Sequence, residues 1–513
     1  MTSLPLRNQR TLPESERLRK AIAERYLENQ SSNEAFAALQ QLATRYPTSI
    51  PIRLDLVRLA QQRCEFDQAK TSAMELLQLA GNDPAIVDSA ADALAAAGDH
   101  KAIRDAWLSL SEYAEYKAIA YTALAGAAFH SNRLDEADQW ISQAMTVNSD
   151  NGMTQLLAGQ IALKTGNLDL AAQRLEQCTR TDTPAIIRFR ALYQTGELKD
   201  QTGDFTGAVA AWRAAKQCIA TEMGPQVEKA RKHRRQRLAR NQKILEQLTP
   251  QTVKRHIRST PPRTPSMAIL AGHPRSGTTL LEQVIAAHPL VRDLDEIDVL
   301  SATLRSTLLE GRLEFVGLDT INQASTAQLA TIRADYLRRC TMLLGRLSKQ
   351  NLLLDKNPNY TDSLPLAISA LPGLKILVAR RDPRDILLSC FRLPVTPESA
   401  NIGWLNQQDL VEDYRSMMAV WERLRDCLAG ETNWLEVEYE KLCTEFDKTA
   451  RQVTQFLGLN WHKDQQNYRT VRQQARINSP NFTSAKQPVH TASLGRWQRY
   501  ADLLPELFEP FTE

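Results

Sequence analysis

Through the first 245 residues apolar and polar positions alternate with the three-to-four spacing of amphipathic helices, and the pattern itself recurs. With Phe66 as a marker, the equivalent positions at intervals of 34 are Ser32, His100, Leu134 and Leu168, and Phe205 arrives three residues late. Three residues after each marker stands a small or apolar side chain: Ala35, Ala69, Ile103, Ala137, Ala171 and Ala208. Four further on come Leu39, Ala73, Trp107, Ile141, Leu175 and Trp212. Turn residues precede several markers, as in Gly98-Asp99, Gly166-Asn167 and Gly203-Asp204. The pattern predicts paired helices that meet through their small residues.

A period of 34 with small residues at helix crossings is the tetratricopeptide signature, in which each pair buries its apolar side only against its neighbours. Six units are expected over residues 18–245, wound as a right-handed superhelix whose concave face is a candidate groove for a peptide or protein. Residues 1–17 are polar and contain proline, which predicts a loose tail. From Gln226 to about Leu248 the chain turns basic, with Lys229-Ala-Arg-Lys-His-Arg-Arg-Gln-Arg-Leu-Ala-Arg240, and lacks Pro and Gly, so a long helix closes the array. Such a cluster can bind a polyanion or an acidic peptide, but a solvated face is the favoured reading. Pro250, Pro261, Pro262 and Pro265 mark residues 246–265 as a linker, leaving 266–513 as the second domain.

Beyond Ser266 short apolar runs alternate with helical patterns. Met267–Ala271 predicts a buried strand that breaks at Gly272 and Pro274, and a helix starts at Thr279 with Leu280, Leu281, Val284 and Ile285 on one side. Val299–Gln350 reads mainly as helices, by spacings such as Leu300, Leu304, Leu308 and Leu337, Leu344, Leu347. Leu352–Asp355 and Lys375–Arg380 read as strands, with a helix over Leu364–Leu371 between them. Strands alternating with helices predict a parallel sheet covered on both faces, with ligands beyond the carboxyl ends of its strands. The expected fold class is therefore all-α repeats followed by a P-loop-like α/β domain.

The loop after the first strand is a phosphate site in outline. The N–H groups of Ser276, Gly277, Thr278 and Thr279 lie at the positive end of a helix dipole, Arg275 adds a planar donor fork, and the threonines add hydroxyls. Thr278 follows Gly277 where a nucleotide triphosphatase loop carries lysine. A single phosphate that leaves is better served here than transfer between β- and γ-phosphates.

Pro274-Arg-Ser-Gly-Thr-Thr-Leu280, with Ala287-His288-Pro289 and the acidic Asp295-Glu296, resembles the tyrosylprotein sulfotransferases. The resemblance implies 3′-phosphoadenosine-5′-phosphosulfate (PAPS) as donor, 3′,5′-adenosine bisphosphate as product, and no metal. It implies that Arg275, Ser276, Gly277, Thr278 and Thr279 hold the 5′-phosphate, and that Arg381 and Ser389 hold the 3′-phosphate. Both of the latter lie in Arg380-Arg-Asp-Pro-Arg-Asp-Ile-Leu-Leu-Ser389, where an Arg–Asp pair capping the helix is the rival reading. Glu296, 21 residues after Arg275, corresponds to the family's base, with Asp295 and Asp298 as local competitors. Lys356, in Leu354-Asp-Lys-Asn-Pro358, would neutralise charge on the bridging oxygen. Tyr439 and Arg496 match residues beside the nucleotide, or else pack. Asn481, seven residues before Pro488, stands where relatives carry serine, and Ser479 is its neighbour. His288 is expected to be hydrogen-bonded and to orient the loop before Glu296.

Composition narrows the picture further. The 513 residues carry a formal charge of +4, which demands no nucleic acid partner. The seven cysteines are scattered and never in C-x-x-C, so neither a disulfide framework nor a zinc site is expected. No signal-peptide core opens the chain and eighteen apolar residues never run together, so a soluble, cytoplasmic protein is expected, unlike the membrane-anchored lumenal animal enzymes. Two rivals remain: a catalytically idle repeat scaffold, and a kinase-like nucleotide enzyme.

Overall fold

The computed structural model describes residues 13–511 except 30–31, 80, 98, 258–265, 311, 313, 397–400 and 473–489. The N-terminal half is helical: α1 (Glu14–Asn29), α2 (Ser32–Arg45), α3 (Ile50–Gln62), α4 (Phe66–Leu79), α5 (Pro84–Ala96), α6 (His100–Leu110), α7 (Lys117–His130), α8 (Leu134–Val147), α9 (Gly152–Thr165), α10 (Leu168–Cys178), α11 (Ala185–Gln201), α12 (Phe205–Glu222), α13 (Gly224–Gln247) and α14 (Pro250–Ile257). There follow β1 (Ser266–Gly272), α15 (Thr278–Ala286), β2 (Val291–Asp293), α16 (Val299–Leu308), α17 (Leu318–Asn322) and α18 (Thr326–Leu344). Then come β3 (Leu352–Lys356), α19 (Leu364–Ala370), β4 (Lys375–Arg380), α20 (Pro383–Phe391), α21 (Gln407–Cys427), β5 (Trp434–Glu438), α22 (Tyr439–Thr444) and α23 (Phe446–Phe456).

The markers of the 34-residue period are the first residues of α2, α4, α6, α8, α10 and α12. Local chemistry explains several of these starts. Asp99, Asn167 and Asp204 each precede a marker and accept a hydrogen bond from a first-turn amide, that of Ala102, Leu170 and Gly207 respectively. The small residues of the period are enclosed, Ala69, Ala73, Ala137, Ala171 and Ala208 completely. Gly196 of α11 carries the same logic furthest: a Cβ there would lie 2.2 Å from Trp212 Nε1 on α12.

Two expectations need correction. The stretch read as a linker opens with α14, whose Val253 is buried. Pro250 is the first residue of that helix, where its missing N–H costs nothing. Residues 258–265, with the remaining prolines, lie outside the described residues. The stretch read as a loose tail likewise contains the start of α1, at Glu14.

The basic helix α13 also departs from expectation, because part of it is an inner face. Arg234 Nε donates to Asp413 Oδ1 at 2.9 Å, Arg237 stands 3.3 Å from the same carboxylate, and Arg240 stands 2.6 Å from Asp362. Burial works against charge on Asp362, yet Arg240 and Arg237 outweigh it and hold its carboxyl below the usual range. Lys229, Lys232, His233, Arg235 and Lys243 stay exposed.

Among the described residues the strands are all parallel, in the five-stranded order β2-β3-β1-β4-β5. Leu270 is paired with Lys356 across β1 and β3, and Gly272 with Ala379 across β1 and β4. Chain direction across the sheet reverses between β1 and β4, which opens a crevice at their carboxyl ends. Ala268, Leu270, Leu281, Ile285, Leu352, Leu354 and Leu377 build the core against α15.

Two compact units result, both discontinuous in sequence: Met1–Ala120 with Ile297–Arg346, and Tyr121–Glu296 with Leu347–Glu513. In the first, α18 packs on α4, and Arg338 and Arg339 reach Glu65 at 3.3 and 3.2 Å. The second holds the whole sheet.

Candidate active site

The loop from Gly272 to Gly277 leaves β1 in an unusual backbone path. Gly272 has φ +136°, Arg275 +77° and Gly277 +96°, and a Cβ on Gly277 would fall 2.2 Å from the Tyr439 ring. Only glycine combines that φ with that approach. Thr361 fixes the loop's root, its hydroxyl accepting the Gly272 N–H at 2.8 Å. The helix that follows, α15, presents its first amides, which have no intrahelical acceptor.

Side chains from three further elements converge here. Arg275 Nε donates to Ser389 Oγ of α20 at 2.8 Å. Arg381, just past β4, donates from Nη1 to the Arg275 carbonyl at 3.1 Å and from Nη2 to the Ser493 carbonyl at 2.6 Å. Its guanidinium lies 4.7 Å from the centre of the Tyr439 ring, and Tyr439 Oη stands 3.0 Å from Ser493 Oγ. Arg275, Ser276, Gly277, Arg381, Ser389 and Tyr439 thus form one cluster, and Thr278 and Thr279 open the helix beside it.

Donors in this cluster are left over. Arg275 Nη1, Ser276 Oγ and Arg381 Nε are buried with no hydrogen-bond partner among the described residues. A folded protein rarely strands buried donors in this way, and a polyanion is the ligand chemistry that would satisfy them. Burial lowers the Arg275 pKa to about 10, so it remains a cation at neutral pH.

Next to the loop, at the end of β3, the wholly buried Lys356 is ringed by carboxylates. Its Nζ lies 2.7 Å from Glu296, 3.1 Å from Glu282 and 3.2 Å from Asp295. Burial depresses the lysine, but Glu282, Glu296 and Asp295 together outweigh it and raise its pKa. Enclosure of Glu282 pushes its carboxyl pKa well above the usual range, while Glu296, 25% exposed, is the most accessible of the three carboxylates. Asp295 and Glu296 both occupy the left-handed region, at φ 42° and 65°, and the Glu296 N–H is held by the Lys356 carbonyl at 2.8 Å. Asp298, the other local competitor of Glu296, caps α16 by accepting from the Ser301 N–H.

Glu282 was missing from the sequence reading. Its one signal is its place on the apolar face of α15, between Leu281 and Ile285, where a glutamate needs a buried partner. Asp385 and Ser493 were missed as well: Asp385 accepts from the Gly495 and Trp497 N–H groups at 2.8 and 3.0 Å. Arg496 is turned onto Asp200 of α11. Asn481, Ser479 and Pro488 lie outside the described residues. His288 is buried, with Nε2 donating to the Asn460 carbonyl at 3.1 Å and Nδ1 accepting the Leu290 N–H at 3.1 Å, so it braces the turn into β2.

A cation-rich cradle at a helix N-terminus beside a buried lysine–carboxylate set, on a parallel sheet, defines a class, and comparison with known sequences supplies the family. The family model described as Sulfotransferase family matches residues 268–463, and this segment is a domain of that family. Protein-tyrosine sulfotransferase A of Caenorhabditis elegans is 27% identical over 214 residues, covering 39% of this chain and 51% of the relative. An uncharacterized protein of Aquifex aeolicus is 24% identical over 286 residues, covering 53% of this chain and 35% of the relative. The chain therefore spans about half the length or less of these curated relatives. Among solved structures, the sulfotransferase domain from the Synechococcus PCC 7002 olefin synthase aligns with a TM-score of 0.32 at 22% identity, covering 47% of this chain and 89% of that one. Among the described residues no helix is long and apolar enough to cross a membrane.

Proposed function

We propose that this chain is a sulfotransferase that moves a sulfuryl group from PAPS to an acceptor hydroxyl, with tyrosine in a peptide or protein as the acceptor and the helix pairs recruiting it. The observation that carries this reading is the set of buried, unpartnered donors on Arg275, Ser276 and Arg381, gathered around a glycine too close to Tyr439 to be anything else. These residues suit a ligand with two separated phosphates better than one with a metal-bridged triphosphate, since no lysine follows Gly277. PAPS supplies an activated sulfuryl group and leaves as 3′,5′-adenosine bisphosphate.

The chain's own residues divide the remaining work. Glu296 takes the proton of the acceptor hydroxyl as the new O–S bond forms. Lys356, already charged and desolvated, balances the negative charge that gathers on the departing oxygen. Arg275 and the amides of Ser276–Thr279 seat the 5′-phosphate, while Arg381 and Ser389 seat the 3′-phosphate. Tyrosine as acceptor draws support from the likeness to protein-tyrosine sulfotransferases and from a repeat array suited to extended peptides.

Incubating the protein with sulfur-labelled PAPS and fractionated lysate tests the reading. Label on protein, recovered as tyrosine sulfate after hydrolysis, together with stoichiometric bisphosphate release, is the expected result. Label confined to glycans or lipids would replace the acceptor, and no bisphosphate release with any fraction would overturn the activity.

A further inference from the structure

One carboxylate on a repeat helix ties the helix pairs to the donor cluster. Asp200 of α11 is almost fully buried, its side chain only 3% exposed. Its oxygens receive Arg392 Nη2 at 3.1 Å, Arg496 Nη2 and the Tyr500 hydroxyl. Glu197, one turn earlier on the same helix, accepts from Arg392 Nη2 at 2.6 Å and Nε at 3.2 Å, so the two carboxylates share Nη2.

The segment that carries Arg496 is the one that lies on Arg381. The Ser493 carbonyl accepts from Arg381, the Ser493 hydroxyl meets Tyr439, and the Gly495 and Trp497 amides are held by Asp385. Asp200 is the anchor on the far side of this segment. Arg496 has one edge on Asp200, while its Nε is buried without a partner among the described residues. Burial first, and then repulsion from Arg392, lowers the Arg496 pKa, and Asp200 ahead of Glu197 supports its charge.

We propose that Asp200 is a positioning residue for the donor: by holding Arg496 it clips the segment Ser493–Trp497 against the Arg381 pocket and makes helix α11 part of the 3′-phosphate site. The inference rests on reading that pocket as the seat of a 3′-phosphorylated nucleotide. Arg275 feels Arg381 and Arg392, Arg496 feels Arg392, and Glu197, Asp200 and Asp385 offset these positive charges.

The test uses the full chain, 3′,5′-adenosine bisphosphate and 5′-AMP in titration calorimetry, with trypsin cleavage at Arg496 and Arg499 as a readout that needs no ligand. Asp200→Asn should weaken the bisphosphate by about tenfold or more, leave 5′-AMP unchanged and speed cleavage at Arg496. Equal weakening of both nucleotides, or unchanged cleavage, overturns the proposal. Should D200N not fold, R496Q against the D200N/R496Q double variant carries the test: equal bisphosphate affinity supports action through Arg496, whereas further loss or unfolding of the double variant shows Asp200 to be a packing hub. Wild-type protein that fails to prefer the bisphosphate over 5′-AMP refutes the donor reading instead, and the cleavage arm then decides the clip by itself.

Discussion

Asp295 and Glu296 sit in a backbone region that side chains avoid, at a cost of about 1–3 kcal/mol each, and the Lys356 carbonyl and ammonium are what hold them there. Strain of that size is tolerated where geometry matters more than stability. Glu296→Ala should therefore abolish transfer while leaving bisphosphate affinity intact, and unaltered turnover in a single-turnover assay removes Glu296 as the base. Arg381→Ala should weaken PAPS far more than an analogue lacking the 3′-phosphate; equal losses count against the assignment. A pH effect belongs to His273, whose pKa burial lowers from 6.5 to about 4. Below pH 6.5 the unfolded chain binds a proton that the folded one refuses, so stability falls with falling pH until about 4, by about 3 kcal/mol in all. Thermal melts of wild type and His273→Gln at neutral and acid pH check this, and an undiminished acid loss in the variant refutes it.

At the scale of elements, the helix pairs show why a period is legible before any fold is known. The markers start helices because Asp and Asn before them satisfy first-turn amides, and the alanines after them let partner helices touch. Gly196 has no room for a methyl group against Trp212, so Gly196→Ala should cost about 1–3 kcal/mol, seen as a lower denaturant midpoint with unchanged slope. Strands β3 and β4 were readable from short apolar runs, and the motifs after β1, β2, β3, β4 and β5 all fall at carboxyl ends. The helix α14 was not readable, because a proline that opens a helix looks like one that ends it.

At the scale of the molecule, helices α11–α13 and the sheet share one interior within the second compact unit. Asp413 and Asp362 draw their counter-ions from α13, Arg392 draws its own from α11, and Lys216 of α12 is buried against Phe391 with its ammonium on the Trp404 carbonyl. Residues 266–513 alone would strand Asp413 and Asp362 as buried unpaired charges, each worth about 3–5 kcal/mol. That fragment should show no cooperative melt in calorimetry, and a transition matching the full chain would refute the dependence. The sequence by itself determined what is local: the helix starts, the repeat's contact residues, the strands, and the glycine-bounded loop between β1 and α15, because caps, periodicity and motif spacing act within a few residues along the chain. Tertiary structure alone decided that Glu282 joins Lys356, that Arg234 turns inward, and that Asp200 meets Arg496, since a buried charge takes its partner from whatever element packing brings within reach.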